Sequence, residues 1–210
     1  MNLTVNSSPH IRGDFRTSRL HWEYAGVLYE NAELGVIYEC PDFFQLDGRF
    51  VLMFSRIRHQ RDAVLFAVGD FDGETFTPEN ICEVEMGPHF YAPQTFLAPD
   101  GRRILIPWMH SWGKLRGDGD VYKGAFGIPR QLSVRDGRLY DAPVEEVKPY
   151  LTDTDEAVTV TDTRVEIRVR PGDAPLFCEG TIRDVQILRD TRTVEVFING
   201  GQRVLSYWLE

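Results

Sequence analysis

The sequence predicts an all-β protein, and two observations predict it. Short apolar and β-branched runs recur along the chain, and Asp-Gly pairs separate them at Asp47-Gly48, Asp72-Gly73, Asp100-Gly101 and Asp136-Gly137. Asp-Gly tolerates the left-handed backbone of a tight hairpin turn, so each pair reads as the bend between two antiparallel strands. The pairs stand 25, 28 and 36 residues apart. A loose repeat of antiparallel units in that range fits the blades of a β-propeller better than an immunoglobulin-like sandwich.

The elements follow in order. An apolar strand from Tyr38 to Leu46 runs into the first turn, and Phe50 to Ser55 leaves it. Ala63 to Gly69 leads into the second turn, and Arg103 to Pro107 follows the third. Helical periodicity is sustained nowhere, and the best candidate, Pro143 to Tyr150, is too short to matter. Thr152-Asp153-Thr154-Asp155-Glu156 is a polar break. Beyond it Ala157 to Val160, Arg164 to Arg170, Thr181 to Leu188, Thr193 to Asn199 and Arg203 to Leu209 alternate like the strands of a small sheet pair. The expected division is therefore a propeller-like domain over residues 1–150 and a small sandwich-like domain over 151–210.

Composition excludes several functions. The 210 residues are 42% hydrophobic, enough for a sizeable core, and carry a net charge of −9. That charge argues against nucleic acid or an anionic membrane as partner and suits a neutral ligand such as a sugar. Cys40, Cys82 and Cys178 are too few and too scattered for a disulfide framework or a zinc site, which points to a reducing compartment. No run approaches the ~20 apolar residues of a membrane helix. Residues 1–13 have neither the basic start nor the apolar run of a signal peptide, so the expected location is cytoplasmic. No Gly-rich phosphate loop, Gly-x-Ser-x-Gly elbow or His-Glu-x-x-His occurs, and the five histidines show no ligand spacing, so neither cofactor nor metal is expected.

The stretch with the most chemistry is Tyr38-Glu39-Cys40-Pro41-Asp42-Phe43-Phe44-Gln45-Leu46-Asp47-Gly48. It sets Glu39 in an apolar strand, where an unpaired carboxyl group favours its protonated form and is suited to general-acid work; the alternative is a carboxylate that faces solvent or caps a turn. Two later segments bear on that choice: Phe90-Tyr91-Ala92-Pro93-Gln94-Thr95-Phe96 and Gly127-Ile128-Pro129-Arg130-Gln131-Leu132.

In this order the three segments resemble glycoside hydrolase family 32, the retaining fructan hydrolases that include invertases, levanases, inulinases and sucrose-6-phosphate hydrolases. The resemblance covers roughly Arg16 to Tyr150. More weakly it extends to Thr193–Leu209, where Val194-Glu195-Val196-Phe197-Ile198-Asn199-Gly200 looks like a sandwich motif of the family. It implies a five-bladed propeller with an axial funnel, joined to a C-terminal β-sandwich. Glu39 is then the acid/base, which protonates the leaving sugar oxygen and later deprotonates the incoming water. Tyr91 and Gln94 fall in the motif that supports it. Trp22, Trp108 and Trp112 fall near the funnel rim, where they either bind sugar or only fill blades, as aromatics do in any propeller. For Arg130 the expected role is to close a blade by satisfying buried carbonyls.

Departures from the family pattern qualify these implications. A retaining glycosidase needs two carboxylates about 5–5.5 Å apart. The family carries its nucleophile in an Asn-Asp-Pro-Asn segment and a stabilising Asp in an Arg-Asp-Pro segment, and neither string occurs here. Arg16 aligns just after the second, so about three of five blades and a shortened sandwich are expected. Asp42 is not a replacement, because three residues along a regular strand put it on the face opposite Glu39. His89 stands where the family has the Asp of Asp-Phe-Tyr-Ala, which changes charge and hydrogen-bond role beside the acid/base. The implied protein is related to retaining β-fructofuranosidases yet inert alone. Its alternatives are a module that binds a fructose-containing sugar without cleaving it, and one chain of a split enzyme whose nucleophile comes from a complementary N-terminal chain. Two exposed blade faces further suggest a homodimer.

Overall fold

A computed structural model of the chain describes residues 2–5, 10–16, 22–57, 62–110, 124–168 and 174–208, with backbone alone for strand positions 2–5, 10, 12–16, 22–23 and 25. The described residues are strands joined by turns and one short 3-10 helix. Strands β1 (Asn2–Val5), β2 (His10–Arg16) and β3 (Trp22–Glu30) form an antiparallel sheet. Next come β4 (Ile37–Leu46), β5 (Arg49–Ile57), β6 (Ala63–Phe71) and β7 (Phe76–Cys82), a four-stranded antiparallel meander in sequential order. A five-stranded sheet holds β8 (Phe90–Leu97), β9 (Arg103–His110), β10 (Gly124–Phe126), β11 (Arg130–Arg135) and β12 (Arg138–Pro143). The 3-10 helix Glu145–Tyr150 follows. The chain ends in two three-stranded antiparallel sheets, β13 (Val158–Thr161) with β14 (Arg164–Ile167) and β15 (Leu176–Glu179), and β16 (Val185–Arg189) with β17 (Thr193–Ile198) and β18 (Arg203–Trp208).

The Asp-Gly pairs all sit at hairpin bends, but in two kinds of turn. Asp47 and Gly48 have φ of 48° and 78°, and Asp136 and Gly137 of 50° and 69°, the double left-handed geometry of a two-residue type I′ turn. Asp72-Gly73 lies in a four-residue loop in which Asp72 Oδ1 accepts from the Glu74 and Thr75 amides. Asp100-Gly101 lies in a five-residue loop between β8 and β9. In the C-terminal region sequence patterning missed β15, whose four residues are too few to show alternation. It overran β16, since Thr181 to Asp184 precede the strand.

Contacts gather in two compact units. The first is Met1–Glu83 with Ala92–Gln94 and Ser133–Leu139; the second is Val84–Tyr91, Thr95–Leu132 and Tyr140–Glu210. In the first unit Ile11, Leu28 and Tyr29 from one sheet and Tyr38, Leu52, Phe54, Leu65, Ala67 and Phe76 from the meander share a core. In the second, Val165, Ile167 and Cys178 meet Ile187, Val194, Val196, Ile198 and Leu205, so the two C-terminal sheets face each other across one apolar layer. Each such aliphatic side chain taken wholly out of water contributes about 1.5–3 kcal/mol. Among the described residues no helix is long and apolar enough to cross a membrane.

Candidate active site

Glu39 stands on β4 at a bulge. It pairs with Ser55 of β5, and the next registered pair is Asp42 with Met53. Cys40 and Pro41 thus oppose the single residue Phe54. Cys40 has φ of 48°, the left-handed first position of a bulge that glycine usually fills, and Pro41 suits a position without a ladder hydrogen bond because it has no N–H. The extra residue reverses the alternation of the strand. Tyr38 and Phe43, an odd five positions apart, both pack on the core of the first unit.

The same reversal corrects the expectation for Asp42. On β5, Ser55 and Met53 are two apart and share a face, so their partners Glu39 and Asp42 share it too. Both acids are half-buried. Regular-strand arithmetic failed because it assumed no bulge, although a proline inside an apolar strand was the available signal. Because Cys40 is exposed, its conformation rather than its packing decides the effect of substitution. Cys40→Gly is expected to leave stability unchanged or slightly raised, whereas the β-branched Cys40→Val loses about 1–2 kcal/mol in urea unfolding. Equal stability of the two variants would contradict a left-handed residue at this point.

The β8 segment Ala92–Gln94 lies against this bulge. The buried Ser55 Oγ accepts a 3.0 Å hydrogen bond from the Ala92 amide. Gln94 Nε2 donates to the Cys40 carbonyl at 3.3 Å. Glu39, Asp42 and Gln94, three of the residues that sequence singled out, thus stand together, and no motif or spacing pointed to Ser55.

The remaining candidates lie in the second unit or outside the described side chains. Tyr91 is buried, with its ring edge-on to His110 at 5.7 Å. Trp108 is half-buried, and its ring is tilted against that of His110 at 5.4 Å. His89 is buried against Tyr207, and its Nδ1 accepts from the Trp208 amide at 3.0 Å, which puts the proton of the neutral ring on Nε2. His110 belongs to the same aromatic group and was not singled out from sequence. The side chain of Trp22 and the whole of Trp112 lie outside the described residues.

Arg130 overturns its expected role. It is completely buried, and its partners are carboxylates rather than carbonyls: Asp141 at 2.8 Å, Glu85 at 3.1 Å and Glu195 at 2.6 Å. Ser206 Oγ also accepts from it, at 2.7 Å, and donates to Glu85 at 2.5 Å. The rings of Phe90 and Phe197 lie 4.8 and 5.2 Å from the guanidinium. Glu85 and Glu195 also accept from the backbone amides of Gly87 and Ile128. Five donors in a rigid fork make arginine the side chain able to hold three acids at once. Among the described residues no group of His, Cys, Asp and Glu side chains is arranged to hold a metal ion.

Burial pushes Asp141 up from 3.8 to about 6, against the pull of Arg130, and its Oδ1 has no hydrogen-bond partner among the described residues. The folded protein therefore holds this proton more tightly than the unfolded chain does. Its contribution to stability is greatest below pH 3.8 and is lost as pH rises to about 6. The stability of the wild type relative to Asp141→Asn is accordingly expected to rise as pH is lowered from 7 to 5. A difference that does not move across that interval would show that Asp141 is ionised throughout.

Residues 15–143 match the family described as Glycosyl hydrolases family 32 N-terminal domain. The chain is 34% identical over 152 residues to a sucrose-6-phosphate hydrolase of Vibrio alginolyticus, covering 60% of this chain and 29% of that protein. It is 35% identical over 144 residues to a raffinose invertase of Escherichia coli, covering 63% and 30%. Among solved structures, a glycoside hydrolase family 32 protein of Bifidobacterium adolescentis superposes with a TM-score of 0.73 at 25% identity, covering 96% of this chain and 42% of that one. The fold is also shared with a Bombyx mori family 32 β-fructofuranosidase, at a TM-score of 0.82 and 18% identity, covering 99% and 57%. The chain belongs to glycoside hydrolase family 32, and it spans about a third of the length of the two curated relatives named.

Proposed function

We propose that this chain is the acid/base-bearing part of a β-fructofuranosidase that cleaves a fructosyl bond in sucrose or a fructan. The observation that carries the reading is Glu39, a half-buried strand carboxylate at a bulge within the segment that matches the family. In this reading Glu39 donates its proton to the leaving oxygen while a second carboxylate attacks the anomeric carbon. Water, deprotonated by Glu39, then releases the fructosyl group. The relatives and structural neighbours, one of them a Bombyx mori β-fructofuranosidase variant in complex with sucrose, support that substrate class.

On the same reading, the three N-terminal sheets correspond to propeller blades in residues 1–150, and the two facing C-terminal sheets to a shortened sandwich in 151–210. The second carboxylate comes from outside these 210 residues, in the rest of a longer protein or in a complementary chain. The 210-residue chain by itself is expected to release no fructose from sucrose, inulin or levan above a boiled control. Light scattering on the same sample tests for a homodimer. Fructose release by the chain alone that disappears in Glu39→Gln would mean that a carboxylate within the chain acts as nucleophile.

A further inference from the structure

We infer that Ser55 is a positioning residue for Glu39, and that it acts by locking the β8 segment onto the rung from which Glu39 projects. The inference rests on the proposed acid/base role of Glu39. Five non-glycine residues among those described have left-handed φ: Cys40, Asp47, Ala92, Asp136 and Asn199. Asp47, Asp136 and Asn199 are Asp or Asn in turns, where that conformation is easily adopted. The other two are Cys40, at the bulge beside Glu39, and Ala92, on the segment that meets it.

Neither a Cys nor an Ala side chain favours the left-handed conformation, as Asp and Asn do. Each conformation costs of order 1–3 kcal/mol and persists only where its surroundings hold it. Two hydrogen bonds link these strained residues to the site. Ser55 Oγ accepts from the Ala92 amide at 3.0 Å, and Gln94 Nε2 donates to the Cys40 carbonyl at 3.3 Å. Ser55 is fully buried and directly opposite Glu39 in the ladder, so its hydroxyl rises on the same face as the carboxylate. A buried serine between Phe54 and Arg56 contributes little to packing, and the Ala92 amide would otherwise be a half-buried donor without this acceptor. Ser55 thus ties the Ala92 backbone to the rung that carries Glu39, and Gln94, two residues further along β8, holds the Cys40 carbonyl next to it.

The test is carbon-13 NMR of the chain labelled at the glutamate carboxyl carbon, with Glu39 assigned by the resonance lost in Glu39→Gln. In Ser55→Ala the Glu39 resonance is expected to shift and to broaden or split, and the Ala92 amide to exchange with deuterium at least tenfold faster. Ser55→Thr, which keeps the hydroxyl, restores both. A folded Ser55→Ala with an unchanged Glu39 resonance and unchanged Ala92 exchange would overturn the inference. Should Ser55→Ala fail to fold, wild-type exchange decides: an Ala92 amide as fast as an exposed one overturns it, and strong protection upholds it. If Glu39 proves dispensable for hydrolysis by the complete protein, the acid/base reading falls, while these spectra still decide whether Ser55 holds Glu39.

Discussion

Arg130→Met is expected to destabilise the protein by about 3–5 kcal/mol, the range for removing one partner of a buried ion cluster and a large share of the roughly 5–15 kcal/mol that keeps an ordinary domain folded. Glu85, Asp141 and Glu195 have side chains at most 1% exposed, and all three reach the same guanidinium. Without it three carboxyl groups remain out of water with no cation among them. Each must take up a proton or draw in water, and these adjustments together make up the loss. Arg130→Lys is expected to recover only part of the loss, because an ammonium has no planar fork with which to span Asp141, Glu195 and Ser206 together. Urea unfolding of the two variants is the measurement. Wild-type stability in Arg130→Met would mean that the acids rearrange to satisfy one another.

That cluster also shows what the sequence made legible and what it hid. All-β character followed from β-branched runs and Asp-Gly pairs because both act locally: a turn at Asp47-Gly48 needs only the two residues that adopt it. The burial of acids was not legible in the same way. Glu39 drew attention as a carboxylate among Tyr and Phe, yet it is only half-buried, while the fully buried acids among the described residues are Glu85, Asp141 and Glu195. Their partner Arg130 lies 45, 11 and 65 residues away from them along the chain. Pairing at such separations is set by tertiary packing, which periodicity does not encode. Asp42 illustrates the opposite failure, where a local signal was present and unused. Pro41 inside a strand marks an interruption of the ladder, and the bulge there changes which face every later residue of β4 presents. His89 drew attention through the segment it precedes, but its contacts with Tyr207 and Trp208 come from a strand that no short-range pattern joins to it.

On the proposed reading, in a preparation where the second carboxylate is supplied and sucrose is cleaved, Glu39→Gln is expected to lower kcat by 10²–10⁴-fold, the typical contribution of a positioned general acid, with a smaller change in KM. Gln keeps the size of the side chain and its capacity for hydrogen bonding, so the site stays assembled while the transferable proton is gone. The signature that separates proton donation from mere binding is the leaving group. A fructoside of an acidic phenol departs as a stable anion and needs little protonation, so its first step is expected to suffer far less from Glu39→Gln than that of sucrose. Asp42→Asn is the internal control. It lies one rung away on the same face, so a residue that only shapes the local field or contacts a sugar hydroxyl is expected to affect both substrates alike. Equal losses for sucrose and the aryl fructoside in Glu39→Gln, matching those of Asp42→Asn, would assign Glu39 to substrate binding and leave the proton donor to be found elsewhere in the protein.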